Sequence, residues 1–401
     1  MKKSNKVGII FFLALMSVFQ FSCKGNKSTM LNKNKPLIFY NRQPSDPVTG
    51  KLDYSAVSWN NRTYYLGTDS QNGGETQGQQ ILNFLHNSNA DEIDRNGDGI
   101  IGYVLLIGDE WHIDSMARTE GVRKALGTWN NSTKPNIKKE GTVTIGGKTY
   151  KTVELAAKSM TGIDGSTWST AAARESMKTW LTSFGKSIDL VISNNDDMAL
   201  ACLSSENFPK GLPVFGFDAS AASDKAIASG QLTGTVTQNA DSQALALLFL
   251  VRNMCDGFLD SAVHTQGFSH GDKYGNKIAR PFVYHKDSRS LLVSNTPIDK
   301  DNWQEYQQNI HNSKITKMQS PKAKLLLSVY DSTNDFINQN LIPSINYYAP
   351  LFNIDVTIIY GDGKNESSCL SKFTNLDYYD AYAINLVKTS NAHLYTEKLK
   401  D

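Results

Sequence analysis

The chain has 401 residues and carries 41 Lys plus Arg against 39 Asp plus Glu, long enough for two domains with cores of their own. The near balance of charge leaves no basic excess or stripe, which argues against a nucleic-acid partner. Its 29 glycines and 17 tyrosines, with only 20% charged residues, are those of a globular chain and not a disordered one.

The first residues read as an export signal. Lys2, Lys3 and Lys6 form a positive start, and Val7–Phe21 is an apolar run too short for a comfortable membrane span. Ser22-Cys23 comes next, then a polar stretch. A small residue before a cysteine at that place has the shape of a bacterial lipoprotein signal, over 1–23, with Cys23 the lipidated residue. Gln20 stands where that pattern usually has Leu. A plain secretory signal with an incidental cysteine is the alternative, and either one takes the chain out of the cytoplasm. Residues 24–34 are polar and suit a tether.

Apolar runs and helical patterns then alternate. The pattern predicts a strand over Leu37–Tyr40, a helix over Thr76–Leu85, a strand over Tyr103–Ile107 and a helix over Ser115–Leu126. It continues with a helix over Thr170–Phe184, strands over Leu190–Ser193 and Val214–Phe217, and a helix over Ser242–Met254. The alternation lapses near Asp299–Tyr306, and His311–Lys322 is a Lys/Ser/Gln-rich linker. It restarts as strand Leu325–Tyr330, helix Phe336–Tyr348, strand Val356–Tyr360, helix Ser367–Phe373, strand Ala381–Val387 and a last helix from Asn391. The class is α/β, with parallel sheets covered on both faces. The chain ends on a strand and a helix, half of a crossover unit that needs a further parallel strand to return to.

Two motifs carry chemistry. Asp94-Arg-Asn96-Gly-Asp98-Gly99-Ile100 places oxygen side chains at positions 1, 3 and 5 of an EF-hand-like loop, Gly at 6 and the Ile100 carbonyl at 7. Gly102 and Leu105 at positions 9 and 12 leave the loop incomplete, so a further carboxylate must come from elsewhere; a solvated turn is the bland alternative. Asp109-Glu-Trp-His112-Ile-Asp114-Ser-Met-Ala-Arg118 succeeds a strand and opens a helix, where α/β folds bind ligands. It suits a polyhydroxyl ligand, an enzyme with His112 as base and Asp114 orienting it, or merely a salt-bridged helix start. Cys202, Cys255 and Cys369 are widely spaced with no CxxC pair, and read as buried thiols. His264 and His270 lack a third ligand at useful spacing, and a loop is the better reading.

The calcium-like loop, the strand after it and the His112/Asp114/Arg118 segment together resemble the galactose/glucose-binding periplasmic proteins. Val191-Ile-Ser-Asn-Asn195-Asp, Pro213-Val-Phe-Gly-Phe-Asp218 and Leu232-Thr-Gly-Thr-Val extend the likeness, and Asp299–Trp303 resembles that family's carboxyl end. Tyr330–Phe336 then resembles its first strand–helix loop and Ala383-Ile-Asn385-Leu-Val its third strand. The order is rotated. The resemblance implies a circular permutation, with the natural ends joined through the linker and the missing strand supplied by Lys35–Pro44. It implies two Rossmann-like lobes: 35–69, 238–294 and 322–401 in lobe one, 70–237 and 295–308 in lobe two, with 309–321 as the joining linker. An insertion near Gly257–His285 stands outside the likeness.

The resemblance also implies a site. Phe336 and Trp168 sandwich a pyranose ring, although each alone could be structural. Asn334 and Asn385 come from one lobe, His112, Asp114, Arg118, Asn195 and Asp218 from the other, and Gln238 from a crossover. Two positions depart from the family, which has Asp at Asn334 and Asn at Gln238, and this bears on the choice between glucose and galactose. The implied calcium ligands are Asp94, Asn96, Asp98, Ile100 and Asp189, the last one methylene shorter than the family's Glu. The implied protein is a monomeric, non-enzymatic binding lipoprotein of an ABC sugar importer, held in the periplasm by its lipid. It takes D-glucose, with D-galactose second, and delivers it to a permease; a chemoreceptor is a further partner of the same kind. A secreted hydrolase, a chemosensory-only sugar receptor and a repressor's sensing domain are the alternatives. The signal segment and the lack of a helix-turn-helix at the amino end argue against the repressor.

Overall fold

The computed structural model describes residues 35–132, 137–138, 140–258 and 282–400. The export signal, Cys23, the tether, His264 and His270 lie outside the described residues. The strands are β1 (Leu37–Tyr40), β2 (Thr63–Thr68), β3 (Ile100–Ile107), β4 (Gly141–Ile145), β5 (Lys148–Ser159), β6 (Leu190–Ser193) and β7 (Val214–Phe215). They continue as β8 (Gly234–Thr237), β9 (Val283–His285), β10 (Ser290–Val293), β11 (Thr296–Asp299), β12 (Ala323–Val329), β13 (Ile354–Tyr360) and β14 (Ala381–Ile384). They form two seven-stranded sheets, ordered β13-β12-β14-β1-β2-β10-β9 in lobe one and β11-β8-β7-β6-β3-β5-β4 in lobe two.

The central strands pair parallel and are buried along nearly their whole length, as in LIFY of β1 and IIGYVLLI of β3. A strand covered by helices on both faces reads as a continuous apolar run for this reason. The sheets are mixed, not purely parallel: β9, β11 and β4 pair antiparallel with β10, β8 and β5 at the edges. β14 pairs parallel with β1, with Tyr382 opposite Leu37 and Ala383 opposite Ile38. The last strand–helix unit of the chain therefore returns to its first described strand.

Four connections run between the lobes. Three leave the ends of β2, β8 and β10, through Thr68–Ser70, Gln238–Asn239 and Ser294–Asn295; the fourth runs from the helix Trp303–Asn309 to β12. This last strap is docked on lobe one. The His311 ring stacks on Tyr347 with centroids 4.2 Å apart, and the Met318 amide donates to the Leu351 carbonyl at 2.8 Å.

Several elements differ from the sequence pattern. The helix predicted from Thr76 begins at Ser70 and runs to Asn87. Gly73 and Gly74 lie in its first turns. A Cβ on Gly74 would collide with the Ala117 carbonyl, so the helix Ile113–Ala125 packs there on bare backbone. The helix predicted over Phe336–Tyr348 is split into a π-helical Phe336–Leu341 and an α-helical Ile342–Tyr348. Pro343 lacks the amide that an α-turn needs there and its ring crowds the preceding turn, which the wider π-turn relieves. The strand predicted to Phe217 stops at Phe215, since Asp218 and Ala219 take positive φ of 123° and 52°. A short helix occupies Trp303–Asn309, where the alternation lapses in the sequence.

Candidate functional site

The carboxyl ends of the central strands of both sheets face one cleft, and the helices after them start there. Their first turns are capped by side chains from the cleft: His112 Nδ1 accepts from the Asp114 amide at 3.2 Å, Asn195 Oδ1 from Met198 at 3.0 Å and Asn239 Oδ1 from Ser242 at 3.3 Å. Capping satisfies amides that the helix cannot pair itself and so fixes these residues in place.

Within the cleft one cavity is lined by Asn41, Arg42, His112, Asp114, Arg118, Trp168, Asn195, Asp218, Gln238, Tyr330, Asn334 and Phe336. Every residue expected at the site lines it except Asn385. That side chain is fully buried one layer back, its Oδ1 accepting from the Tyr330 amide at 3.2 Å and its Nδ2 donating to the Tyr40 carbonyl at 3.1 Å and Asn41 Oδ1 at 3.3 Å. The free space between the walls is about 40 Å³, room for a few waters.

The lobe-two wall is organised around Arg118, which is 3% exposed. Its Nη1 donates to the Asn194 carbonyl at 2.7 Å, and its guanidinium lies 3.6 Å from both the Asp114 and the Asp218 carboxylates. The Phe217 ring lies 3.6 Å beneath it. Asp114 also accepts from the Ser70 hydroxyl, at the lobe crossing. Gln238 donates to Asp218 at 2.5 Å and accepts from Asn41 Nδ2 at 3.2 Å, which carries the network back to lobe one. Burial pushes the Asp218 carboxyl well above the usual range, with Arg118 opposing. Behind it, burial raises Asp196 to about 6.

Trp168 stands over Gly108, where a Cβ would run into the indole. Its backbone is left-handed at φ 60°, as is that of Asn41 at 60°, and Asp218 also has a positive φ, of 123°. Such conformations in non-glycine residues are costly and concentrate where function holds them. His112 packs edge-on against Trp168 at 5.7 Å.

His112 is not arranged as a base oriented by Asp114. Asp114 bonds to Ser70 and faces Arg118, while the imidazole takes the Asp114 amide. Burial, with Arg42 adding to it, lowers His112 to about 4, so the ring is neutral with its proton on Nε2, as a donor.

The calcium-like loop is closed on itself. Asp94 accepts from the Gly97, Asp98 and Gly99 amides at 2.9, 3.2 and 2.8 Å. Asp98 takes the Ile100 amide and Asn96 Nδ2, both at 2.8 Å. Asp189 arrives from the strand beside it and accepts from the Arg95 and Gly102 amides at 2.9 and 2.8 Å. Among the described residues no group of three or more His, Cys, Asp or Glu side chains is gathered to hold a metal ion. The donors are nevertheless all hard oxygens, which suits calcium in kind. Burial raises Asp189 to about 6, with the Asp94 charge adding and the two amides opposing.

Arg42, Tyr330 and Asn41 also stand on the wall; they fall within the stretches that carry the family likeness, Lys35–Pro44 and Tyr330–Phe336, but no role at the site is assigned to them from the sequence. The available signal is position: Asn41-Arg42 comes directly after β1, and Tyr330 directly after β12, at the sheet edge where ligands bind in such folds.

Two α/β lobes that face one cleft, lined by converging polar and aromatic groups, define a binding protein of the periplasmic type. Residues 31–257 match the periplasmic binding protein domain, and residues 322–392 match a second periplasmic binding protein domain model. The chain belongs to that family, one of binding proteins and not enzymes. It is 31% identical over 226 residues to the D-galactose/methyl-galactoside binding periplasmic protein MglB of Haemophilus influenzae, across 56% of this chain and 58% of that one. It is 33% identical over 110 residues to a xylitol-binding protein of Mycolicibacterium smegmatis, across 27% of this chain and 30% of that one. The chain thus spans little more than half the length of the first relative and less of the second. Among solved structures, an ABC transporter periplasmic solute binding protein from Actinobacillus succinogenes with bound D-allose aligns with a TM-score of 0.41 at 17% identity, covering 68% of this chain and 72% of that chain.

Proposed function

We propose that the protein is the substrate-binding component of an ABC sugar importer, taking a neutral hexose between its lobes. D-glucose is the first candidate and D-galactose the second. The observation that carries this reading is the cleft wall itself: Phe336 from lobe one and Trp168 from lobe two line one cavity with Asp114, Arg118, Asn195 and Asp218. A pyranose offers apolar CH faces to aromatic rings and a rim of hydroxyls to charged and amide groups. Contacts made with both lobes at once drive hinge closure, and the closed form is what a permease reads. A chemoreceptor is a second reader of the same form. Export and lipidation at Cys23 would tether the protein at a membrane surface, as a monomer in the periplasm.

The chain order is a circular permutation of the family's, supported by the β14–β1 pairing and by the fourth interlobe strap. A chain recut within 311–321, with its present ends joined by a short linker, keeps its fold and hexose affinity on this reading; loss of folding contradicts it. Calcium binds the Asp94–Ile100 loop with Asp189, less tightly than a site with a Glu and a side chain at Gly102. Calcium then raises the melting temperature in EGTA-treated protein at pH 7.5; an unchanged melting curve up to millimolar calcium removes the metal. For the sugar, titration is monitored by tryptophan emission and small-angle scattering. Saturable quenching with a smaller radius of gyration supports closure on a hexose, and no response to any hexose rejects it.

A further inference from the structure

We propose that Arg42 and Tyr330 are binding residues that set specificity, together gripping two adjacent hydroxyl oxygens of the hexose from lobe one. The inference rests on the hexose reading and concerns which groups of this chain make the lobe-one contacts.

Asn334 is the residue expected to bond the sugar there, yet both polar atoms of its side chain are already engaged with the protein, each with room for only one bond more. Its Oδ1 accepts from the Ile337 amide at 2.9 Å and its Nδ2 donates to the Tyr330 hydroxyl at 3.0 Å. A carboxylate at this position would accept from a ligand hydroxyl; the amide instead serves Tyr330. With its oxygen already accepting, the phenol has its own proton to give, and burial, which raises Tyr330 to about 12, keeps that proton in place.

Arg42 lies beside it. The chain turns sharply after β1, where Asn41 is left-handed and the Arg42 amide bonds the Tyr40 carbonyl at 2.7 Å. This carries the Arg42 guanidinium over the Tyr330 ring at 4.3 Å. The residue is 7% exposed and lines the cavity. Among the described residues its guanidinium makes no hydrogen bond or ion pair, and its Nε is wholly shielded and unpartnered. The contrast is Arg118 on the facing wall, which has a carbonyl and two carboxylates. A buried guanidinium left without acceptors is unfavourable unless a ligand supplies them. Its fork matches two oxygens spaced as vicinal hydroxyls are, and the Tyr330 hydroxyl adds a third donor on the same side. Lobe one therefore presents donors, and lobe two presents the Asp114 and Asp218 acceptors. A pyranose whose hydroxyls both give and accept satisfies both walls at once.

The test is calorimetry of the purified protein and its Arg42→Gln, Arg42→Lys and Tyr330→Phe variants, with D-glucose and its 2-, 3-, 4- and 6-deoxy analogues. Melting curves run alongside. Each variant is expected to weaken glucose binding by about 10- to 100-fold, the range for a charge-assisted or buried hydrogen bond, with the melting temperature within a few degrees of the parent. The parent should lose affinity for two deoxy analogues missing neighbouring hydroxyls, and Arg42→Gln should no longer distinguish these from glucose. Variants that bind glucose within about twofold of the parent, or that keep the parent's full deoxy-sugar pattern, overturn the assignment. Should Arg42→Gln fail to fold, Arg42→Lys, which keeps the charge without the fork, and Tyr330→Phe, which removes one oxygen, decide it. A parent that binds no hexose overturns the hexose reading itself, and this assignment with it, before any variant is compared.

Discussion

The two walls of the cleft differ in how completely they are tied. On the lobe-two wall, Arg118 is held by a carbonyl, two carboxylates and a ring, Asp114 by Ser70, and Asn195 and His112 by the helix starts they cap. On the lobe-one wall, among the described residues, the Arg42 guanidinium makes no hydrogen bond or ion pair and the Tyr330 hydroxyl accepts from Asn334 with its own proton still to give. A wall whose groups are already in place loses little freedom when ligand arrives. A wall with unsatisfied donors gains most when the lobes come together around one. On the proposed function, this asymmetry would give preorganised first contact to lobe two and the driving force of closure to lobe one.

The largest test of that difference is Arg118→Leu. Removing one member of a buried charge cluster costs about 3–5 kcal/mol, so this variant should lower the melting temperature by several degrees and abolish detectable sugar binding. If it stays as stable as the parent, the lobe-two wall is not the tied one. Next comes Trp168→Ala, which removes a stacking ring but no bonded charge. Affinity should fall by roughly 10-fold or more, and Gly108→Ala should imitate it, because the new methyl would occupy the indole's place.

A smaller effect is set by pH. Asp197 is partly buried at the start of the helix Asp196–Leu203, and its carboxyl is raised to about 7, first by burial and then by Asp335 of lobe one and Asp196. The folded protein then holds a proton that the unfolded chain has released between the ordinary carboxylate range and pH 7. Stability contributed by that proton is present at low pH and lost as pH rises through about 7. Asp197→Asn should therefore raise the melting temperature at pH 8 and leave it nearly unchanged at pH 4. A gain of equal size at both values would show that charge between the lobes is not its cause. The smallest effect belongs to the exposed Asp164–Lys364 bridge across the cleft mouth, 2.6 Å long. Lys364→Ala should change affinity by less than about threefold, with the difference vanishing in high salt.

Much of the fold is legible in the residues, and the failures have physical reasons. Buried strands announce themselves because parallel strands need apolar side chains on both faces, as in β1, β3 and β12. The first turn of the helix Ser70–Asn87 does not, since Gly73 and Gly74 oppose helix formation in isolation and are used for contact with a neighbour distant in sequence. The hairpin of β4 and β5 escapes the pattern despite Gly146-Gly147 at its turn, both at positive φ. At the site, residue type and position after a strand point to His112, Asp114 and Arg118, while Asn195 and Asp218 come from the family resemblance. Whether a polar residue faces the cleft or bonds behind it depends on its neighbours in space. That is why Asn385 and Asn334 look like ligand contacts in the sequence while Arg42 and Tyr330 do not.

A hexose site between the lobes is tested most directly by calorimetric titration of the purified protein with D-glucose and then D-galactose. Binding of one sugar per chain, saturating at micromolar or lower concentration and lost in Arg118→Leu, is the predicted result. No heat from either sugar, with the protein folded by its melting curve, would contradict such a site.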